Sequence, residues 1–565
     1  MVVDGRPMIG ARSARVAAGV LITLLATGCG VSWPPDDPPR YTAAGGARTV
    51  VPDLRVATTL TDDQHATLAA GGTVTLDGQQ SAALDAALRA LDDRTIDQIA
   101  TLTATDAAAF ADAIQLAGNP RVEPLDGGDI ALPTAVASLL TAPPTQPLGI
   151  GLHQQARYSW QQVRHASGPI AVPRLGELGT LADLLADGTA DLQVGTAVDR
   201  DLIAVAGQLA AATADQRLDL VADAGQPPID DLAVHTVLVD LLGVAGRDAD
   251  AARDAITGTD MPDGYRSDAV LVALLGHPWG ADQQPLVDLL ASATAGPSDR
   301  DSENPENYEA ARRADATTSA IAHTLAANRA TLTDVPAAGY RPIGALNPEV
   351  TRTVTEAISG RLTGLAGTPR APIDGVEPLT DTDSLGETFR VLLTDGPSGL
   401  RLADAVDATT RGLAVDFGAH PETPVNGAVI GRLTAGLRVA IDRQFADDGR
   451  DAADAVYRDD APDAAAWIDR AESGTPPLLR AEVTRSSTTD RYAAVLQGLL
   501  STRPDVAADP ALAPFIADGA VRPIDDGDSA IFEAEVRAWF ARANLPLDIF
   551  QRDLYAEIGD RGWHI

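Results

Sequence analysis

The sequence predicts an all-α protein built from stacked helical hairpins, in the manner of an α-solenoid, with a small helical subdomain at the C-terminus. Three observations support this fold class. Apolar residues recur at helical spacing from about residue 60 onward. Strand-like alternation is almost absent. Hydrophobic residues make up 45% of the chain but aromatic residues only 4%, so the cores consist mainly of Ala, Leu, Val and Ile, which suit packed helices.

Length and charge narrow the classes of function. The 565 residues are enough for several packed units. The chain carries 79 acidic and 43 basic residues, all of the latter arginine, for a formal net charge of −36. Such a chain repels phosphate backbones, and its arginines never form a run longer than two. We therefore expect no nucleic-acid partner.

Residues 1–28 have the features of a secretory signal peptide. Two arginines precede an apolar run, residues 16–26, which is too short to span a bilayer comfortably. Gly28 and Cys29 follow this run, and Cys29 is the only cysteine in the chain. The alternatives for this residue are a buried structural thiol or a place at the end of an uncleaved anchor helix. Translation starts at Met1 or at Met8.

Residues 25–29, Leu-Ala-Thr-Gly-Cys, resemble the lipobox of bacterial lipoproteins, although Ala26 stands where leucine is more usual. The resemblance implies cleavage between Gly28 and Cys29 and a diacylglycerol group on the Cys29 thiol. The protein would then lie on the extracytoplasmic face of the cell membrane, with the lipid as its anchor. Residues 29–50 are rich in proline, which predicts an extended tether between this anchor and the body.

Beyond the tether we predict three helical regions: 51–145, 146–420 and 421–565. The first and second are divided by a stretch rich in proline and glycine, residues 119–170, and the third is set apart by its aromatic content. In the second region the pattern predicts one helix after another with short breaks, which is typical of a repeat-like domain.

Local signals predict where individual helices begin and end. Gly118-Asn119-Pro120 should stop one helix and Gly276 another. Asp282 should open a helix, and the predicted N-terminal caps are Thr95, Ser267 and Asn347, the last of these followed by Pro348 and Glu349.

Two patterns stand out near the C-terminus. Gly427, Gly431 and Ala435 form a line of small residues that permits close approach of another helix, while Arg432 and Arg438 on the same segment exclude burial in lipid. Aromatic residues concentrate in the last part of the chain, which predicts a separate small core; they are Phe532, Trp539, Phe540, Phe550, Tyr555 and Trp563.

Few residues suggest chemistry. The eight histidines are scattered along the chain, so we expect neither a metal site nor a cofactor. Asp299, Asp301 and Glu303 alternate like the start of a calcium loop. However, Asn304 and Ala310 occupy the positions that need glycine and glutamate, so a solvated acidic loop is favoured over a calcium site.

One segment interleaves cations with aromatic rings in an otherwise acidic chain. This pattern predicts an interaction patch for an acidic or glycan partner, with half-buried packing against neighbouring helices as the alternative. The residues of the patch are Arg157, Tyr158, Trp160, Arg164 and His165.

The order of features in the middle of the chain resembles a known group. These features are His-Pro-Trp-Gly at residues 277–280, the polar loop and long helix that follow, and residues 344–352. The chain is similar here, over roughly residues 130–470, to large actinobacterial tetratricopeptide-repeat-region proteins, many of them encoded near type VII secretion components. The N-terminal helical hairpin of secretion substrates is missing, and no 34-residue repeat is apparent. The resemblance implies a TPR-like, non-catalytic helical scaffold and supplies no active-site residue.

The sequence therefore predicts a lipid-anchored helical scaffold of the bacterial cell envelope that binds a protein partner and carries no catalytic residue. Two alternatives remain. One is an envelope hydrolase that acts on glycan or peptide through paired carboxylates. The other is a solute-binding lipoprotein, which would need two α/β lobes with parallel strands.

Overall fold

A computed structural model describes most of the chain beyond residue 55. All described residues belong to one compact unit, Val51–Ile565. They are residues 56, 58–103, 107–125, 127–128, 130–142, 145–147, 170–213, 220–222, 227–262, 264–297, 304–336, 339, 341–367, 376–422, 426–457 and 488–559.

Helices dominate the described chain, as the periodicity predicts. Those in the first half are α1 (Asp62–Ala69), α2 (Gly78–Arg89), α3 (Ile96–Thr103), α4 (Ala107–Ala117), α5 (Thr134–Thr141), α6 (Leu175–Ala186), α7 (Ala197–Thr213), α8 (Asp231–Ala245), α9 (Ala249–Thr257), α10 (Ser267–Gly276) and α11 (Gln284–Thr294). Those in the second half are α12 (Pro305–Ala327), α13 (Arg329–Leu332), α14 (Ile343–Leu346), α15 (Pro348–Ser359), α16 (Leu362–Leu365), α17 (Thr382–Leu392), α18 (Gly396–Ala419), α19 (Asn426–Tyr457), α20 (Thr488–Thr502), α21 (Asp526–Arg542) and α22 (Leu547–Gly559).

The helices pack mainly against partners that lie close to them in the chain. Helix α8 packs on α6 and α7, α10 on α7, and α9 on α11. The series continues through α11 with α15, α12 with α17 and α17 with α19. This order is that of stacked, TPR-like helical hairpins and confirms the predicted all-α fold class.

The β structure in the described part is limited to short pairings of two-residue strands and to two isolated bridges, Val221 with Pro228 and Val335 with Arg341. Strands β1 (Val74–Thr75) and β2 (Val122–Glu123) pair in parallel. Strand β4 (Ile170–Ala171) lies between antiparallel β3 (Gln146–Pro147) and parallel β5 (Leu220–Val221). Strands β6 (Ile516–Ala517) and β7 (Ala520–Val521) form a hairpin. Such strands tie neighbouring loops together and contribute little core of their own.

Two hydrophobic cores hold the part of the body that the structure describes. The larger includes buried residues from Leu60 to Ile441 and is built almost entirely from aliphatic side chains. The smaller runs from Ala414 to Ile558 and is rich in phenylalanine. In it the rings of Phe417 and Phe550 stack with centroids 4.2 Å apart. The aromatic-rich C-terminal core is thus confirmed, although Trp563 lies outside the described residues.

The predicted line of small residues lies against the C-terminal helix. A Cβ atom on Gly427 would stand 2.3 Å from the carbonyl oxygen of Phe550, and one on Gly431 would stand 2.6 Å from that of Leu554. Real Cβ contacts are never so short, so α19 and α22 pack backbone to backbone only because these positions lack side chains. The prediction of tight helix packing is confirmed.

Most predicted helix ends are confirmed, but Ser267, Asp282 and the side-chain cap at Asn347 are exceptions. Thr95 accepts a hydrogen bond from the backbone N–H of Gln98, and α4 ends just before Gly118. Ser267, however, is the first residue of α10 and not its cap. Asp282 lies before α11, which begins at Gln284. Asp282, in the loop before α11, instead contacts the distant residue His235. Short-range sequence signals do not contain such contacts.

Candidate functional site

The residues predicted from sequence as functional lie outside the described part of the chain. This holds for Gly28 and Cys29, and for the predicted interaction patch, residues 157–165. It also holds for the acidic loop at 299–303. The lipidation site and the interaction patch therefore stay predictions.

Two histidines that are distant in sequence meet in the described structure. His235 stands on α8, and His277 directly follows α10. His235 Nδ1 lies 3.1 Å from His277 Nε2, and His235 Nε2 lies 3.2 Å from a carboxylate oxygen of Asp282. At the other end of this chain of contacts, His277 Nδ1 lies 3.0 Å from the hydroxyl of Thr213 at the end of α7. The ring of Trp279 packs edge-on against His277, at 4.7 Å between centroids.

The positions of the protons on the two histidines follow from the groups that they contact. A carboxylate only accepts hydrogen bonds, so His235 Nε2 donates to Asp282. One proton lies between the two facing imidazole nitrogens, because two bare or two protonated nitrogens would repel each other. Burial, together with the neighbouring His235, lowers the pKa of His277 to about 3, so His277 is neutral at physiological pH.

His277 is a poor general base because its pKa is too low. Effective general bases have a pKa near the operating pH, whereas the pKa of His277 lies at about 3. The hydroxyl of Thr213 also lies 2.8 Å from the carbonyl oxygen of Ala210, to which it can donate. The proton shared by His235 and His277 therefore fixes the loop after α10. The arrangement does not activate Thr213 as a nucleophile.

The same loop is tied to a distant helix by Asn347. Its side-chain Nδ2 donates to the carbonyl oxygens of Leu275 and His277, both at 2.8 Å, and its Oδ1 accepts from the N–H of Trp279. Asn347 is fully buried. The structure thus joins residues 277–280 to residues 344–352, the two segments on which the family resemblance rests.

The predicted role of Asn347 as a side-chain cap is wrong. Helix α15 does begin at Pro348, but Asn347 makes no side-chain capping bond. Instead Oε1 of Gln283, from the loop before α11, accepts from the N–H groups of Glu349 and Val350. The first turn of α15 is therefore capped from a distant segment, which leaves the asparagine free to hold the loop.

Paired carboxylates, which a hydrolase would need, do occur in the core. Asp199 on α7 is fully buried and accepts from the hydroxyl of Thr196 at 2.7 Å and from the amides of Gln115 and Gln193. Burial, together with the negative charge of Asp248, raises the pKa of Asp199 to about 8.

Asp248 is the second member of the pair and has a structural role. It is fully buried and caps α9, and its carboxylate accepts four backbone N–H groups, those of Gly195, Thr196, Asp250 and Ala251. Both carboxylates are thus enclosed by protein donors and inaccessible to a substrate. Their geometry gives no support to the hydrolase alternative at this place.

The raised pKa of Asp199 predicts a pH-dependent stability. A carboxyl group whose pKa is higher in the folded than in the unfolded chain stabilises the fold fully below about pH 4 and loses this effect as the pH rises through about 8. We expect Asp199→Asn, which mimics the neutral acid, to gain about 1 kcal/mol of stability per pH unit over wild type between about pH 5 and 7. Denaturant unfolding at several pH values measures this difference. The control is Asp191→Asn at an exposed position. Parallel curves for wild type and Asp199→Asn would show that Asp199 is ionised throughout.

The described residues form neither a metal-binding cluster nor a membrane span. Among them, no three His, Cys, Asp or Glu side chains are grouped so as to hold a metal ion. In the same part of the chain, no helix is both long and apolar enough to cross a bilayer.

Part of the chain is similar to a known protein family. Residues 56–292, less than half of the chain, match the family described as TPR repeat domain. Neither the curated proteins nor the solved structures contain a significant match. The matched range covers α1 to α11 without the last residues of α11, and it includes the His235–His277 pair and the Asp199–Asp248 pair. Residues 56–292 are thus similar to TPR repeat domains, within an all-α, TPR-like body of stacked helical hairpins.

Proposed function

We propose that this protein is a lipid-anchored helical scaffold on the extracytoplasmic face of a bacterial membrane, where its stacked body binds another protein. The observation that carries the proposal is the match of residues 56–292 to TPR repeat domains. Such domains commonly mediate protein–protein interaction, and stacked helical pairs present long continuous surfaces to a partner.

The continuity of the larger core supports the proposal. It runs from Leu60 to Ile441 and therefore extends well beyond the matched residues. Asn347 and Gln283 link the two parts through buried hydrogen bonds. The repeat-like helices and those that follow them thus form one body, which is what a scaffold needs to hold a partner in a fixed place. Helical proteins encoded near type VII secretion components are the proposed relatives of this body.

The proposed anchor is the diacylglycerol group on Cys29. A double acyl chain supplies stable membrane affinity, so the body needs no apolar surface for attachment. Among the described residues, the large hydrophobic side chains that are exposed include Leu125 and Leu232. The proline-rich residues 29–50 would then hold the body away from the bilayer.

We expect Cys29→Ala to remove the protein from the membrane fraction, because the variant has no thiol to acylate. Fractionation of cells that produce the wild type or the variant measures this, and mass spectrometry of the wild type should find a diacylated Cys29 as the first residue. Ser32→Ala is the matched control and should stay with the membrane. Retention of Cys29→Ala in the membrane fraction, or an unmodified Cys29 with the leader attached, would contradict the lipid anchor.

Partner binding is tested separately from anchoring. Crosslinking of the full-length protein in membranes should yield a discrete complex with one other protein. The complex should persist when detergent releases the anchored protein. Should crosslinking give only the monomer at every density of protein in the membrane, the scaffold role would be wrong even if the anchor is present.

A further inference from the structure

A continuous chain of polar contacts leads from the surface of the described body to the end of α7. It starts at Asp282, whose side chain is 61% exposed, and passes through His235 and His277 to the hydroxyl of Thr213. The carbonyl oxygen of Ala210, 2.8 Å from that hydroxyl, is a further acceptor at the inner end. His277 is buried, whereas the side chain of His235 is 16% exposed, so solvent protons reach the pair through His235.

With one proton on each ring, every hydrogen bond in this chain has a fixed direction. His235 donates from Nε2 to the carboxylate of Asp282, so its Nδ1 carries no proton and has to accept. His277 therefore donates from Nε2, and its own Nδ1 accepts from the hydroxyl of Thr213. A hydroxyl has a single proton, so Thr213 does not donate to Ala210 in this state.

A second proton on His235 reverses these directions. Nδ1 of His235 then donates, so Nε2 of His277 has to accept. The balance is one proton from solvent, because His277 passes its Nε2 proton to His235 and gains the entering proton on Nδ1. The new N–H points at Thr213, whose hydroxyl turns and donates to Ala210. Since burial lowers the pKa of His277 to about 3, the positive charge stays on His235, next to Asp282.

Asp282 is the charged side chain in contact with the histidine pair among the described residues. Helices α6, α7 and α11 pack on α8. The other side chains that contact the pair in the described structure are Thr213 and the ring of Trp279, and neither titrates near neutral pH. Asp231, one turn before His235 on α8, is exposed and forms no hydrogen bond with the ring in that part of the chain. The pH dependence of the chain of contacts therefore depends on His235 and Asp282.

We propose that these residues form a pH-sensitive switch at the end of α7, in which a second proton on His235 changes the tautomer of His277 and turns the hydroxyl of Thr213. The protonated chain contains four hydrogen bonds instead of three, because the hydroxyl then accepts from His277 and also donates to Ala210. The side chain of Thr213 is thus bound to its own helix in acid and to the loop after α10 at higher pH. The switch rests on neither the lipid anchor nor the partner of the proposed function.

Nitrogen-15 NMR of the histidine rings in the full-length protein tests the switch. As the pH falls from about 8 to 5, we expect His235 to gain its second proton. Over the same midpoint, His277 should stay neutral while its proton moves from Nε2 to Nδ1. In His235→Phe, which assigns the titrating ring, His277 should keep one tautomer at every pH. The proposal is overturned if His235 takes up no proton in this range, or if His277 in wild type keeps one tautomer or becomes doubly protonated.

Thr213→Val tests the hydroxyl separately, because valine keeps the shape of threonine and removes its proton and acceptor. We expect this substitution to lower the unfolding temperature more at about pH 5.5 than at about pH 8, since the hydroxyl forms two hydrogen bonds in acid and one above the titration of His235. Thr236→Val on α8 is the matched control: this exposed hydroxyl donates to the carbonyl of Leu232, and its loss should cost the same at both pH values. The same pH dependence for both variants would contradict the switch. The NMR measurement on wild type decides even if Thr213→Val does not fold.

Discussion

Gly418→Ala is expected to lower the free energy of unfolding of the C-terminal helices by about 3 kcal/mol or more. Gly418 on α18 faces α20, and a Cβ atom there would lie 1.9 Å from the carbonyl oxygen of Val495. The contact is reciprocal, since a Cβ atom on Gly498 would lie 1.9 Å from the carbonyl oxygen of Val415. The obstacle on both sides is backbone and cannot turn away, so a single methyl group must push the two helices apart.

The same helix offers a matched control for this prediction. Gly412 on α18 is exposed, and a Cβ atom there would meet nothing within 4 Å. Gly412→Ala should therefore stabilise the helix by up to about 1 kcal/mol, because alanine has the higher helix propensity. Thermal unfolding and hydrogen exchange of residues 488–502 measure both variants. Equal midpoints for the two would show that α18 and α20 are not in close contact.

Asn347→Ala is expected to destabilise the larger core by about 3 kcal/mol. The substitution leaves the carbonyl oxygens of Leu275 and His277 and the N–H of Trp279 without their partner in a buried place. Each buried polar group without a partner costs about 1–3 kcal/mol, less whatever water can recover.

The control for Asn347→Ala is Asn307→Ala on α12, where the side chain is exposed. A surface substitution of this kind should change the free energy of unfolding by about 0.5 kcal/mol or less. Denaturant unfolding of both variants gives the comparison. A cost for Asn347→Ala as small as that for Asn307→Ala would mean that water replaces the asparagine amide.

The sequence predicts individual helices well where the signal is local. Thr95 caps its helix as expected, because Gln98 lies one turn away. Gly427 and Gly431 recur at helical spacing, which predicts a close helix contact without revealing that the partner is α22. For Asn347 the local pattern gave the right start of α15 and the wrong role for the side chain. An asparagine before Pro-Glu looks the same whether its amide caps the helix or reaches another segment.

The candidate sites could not be predicted in this way. His235 and His277 are 42 positions apart, so their spacing contains no sign of the hydrogen bond between them. Asp199 is one of 79 acidic residues, and only its enclosure by Gln115, Gln193 and Thr196 reveals its raised pKa.

The sequence by itself determined the all-α class, the close-packed line at Gly427 and Gly431, and the aromatic C-terminal core, because helical periodicity and residue size act over one or two turns. The tertiary structure alone decided which helices meet, and with them the His235–His277 pair and the reach of Asn347. Contacts between residues far apart in the chain depend on how the helices stack, and no local pattern encodes that order.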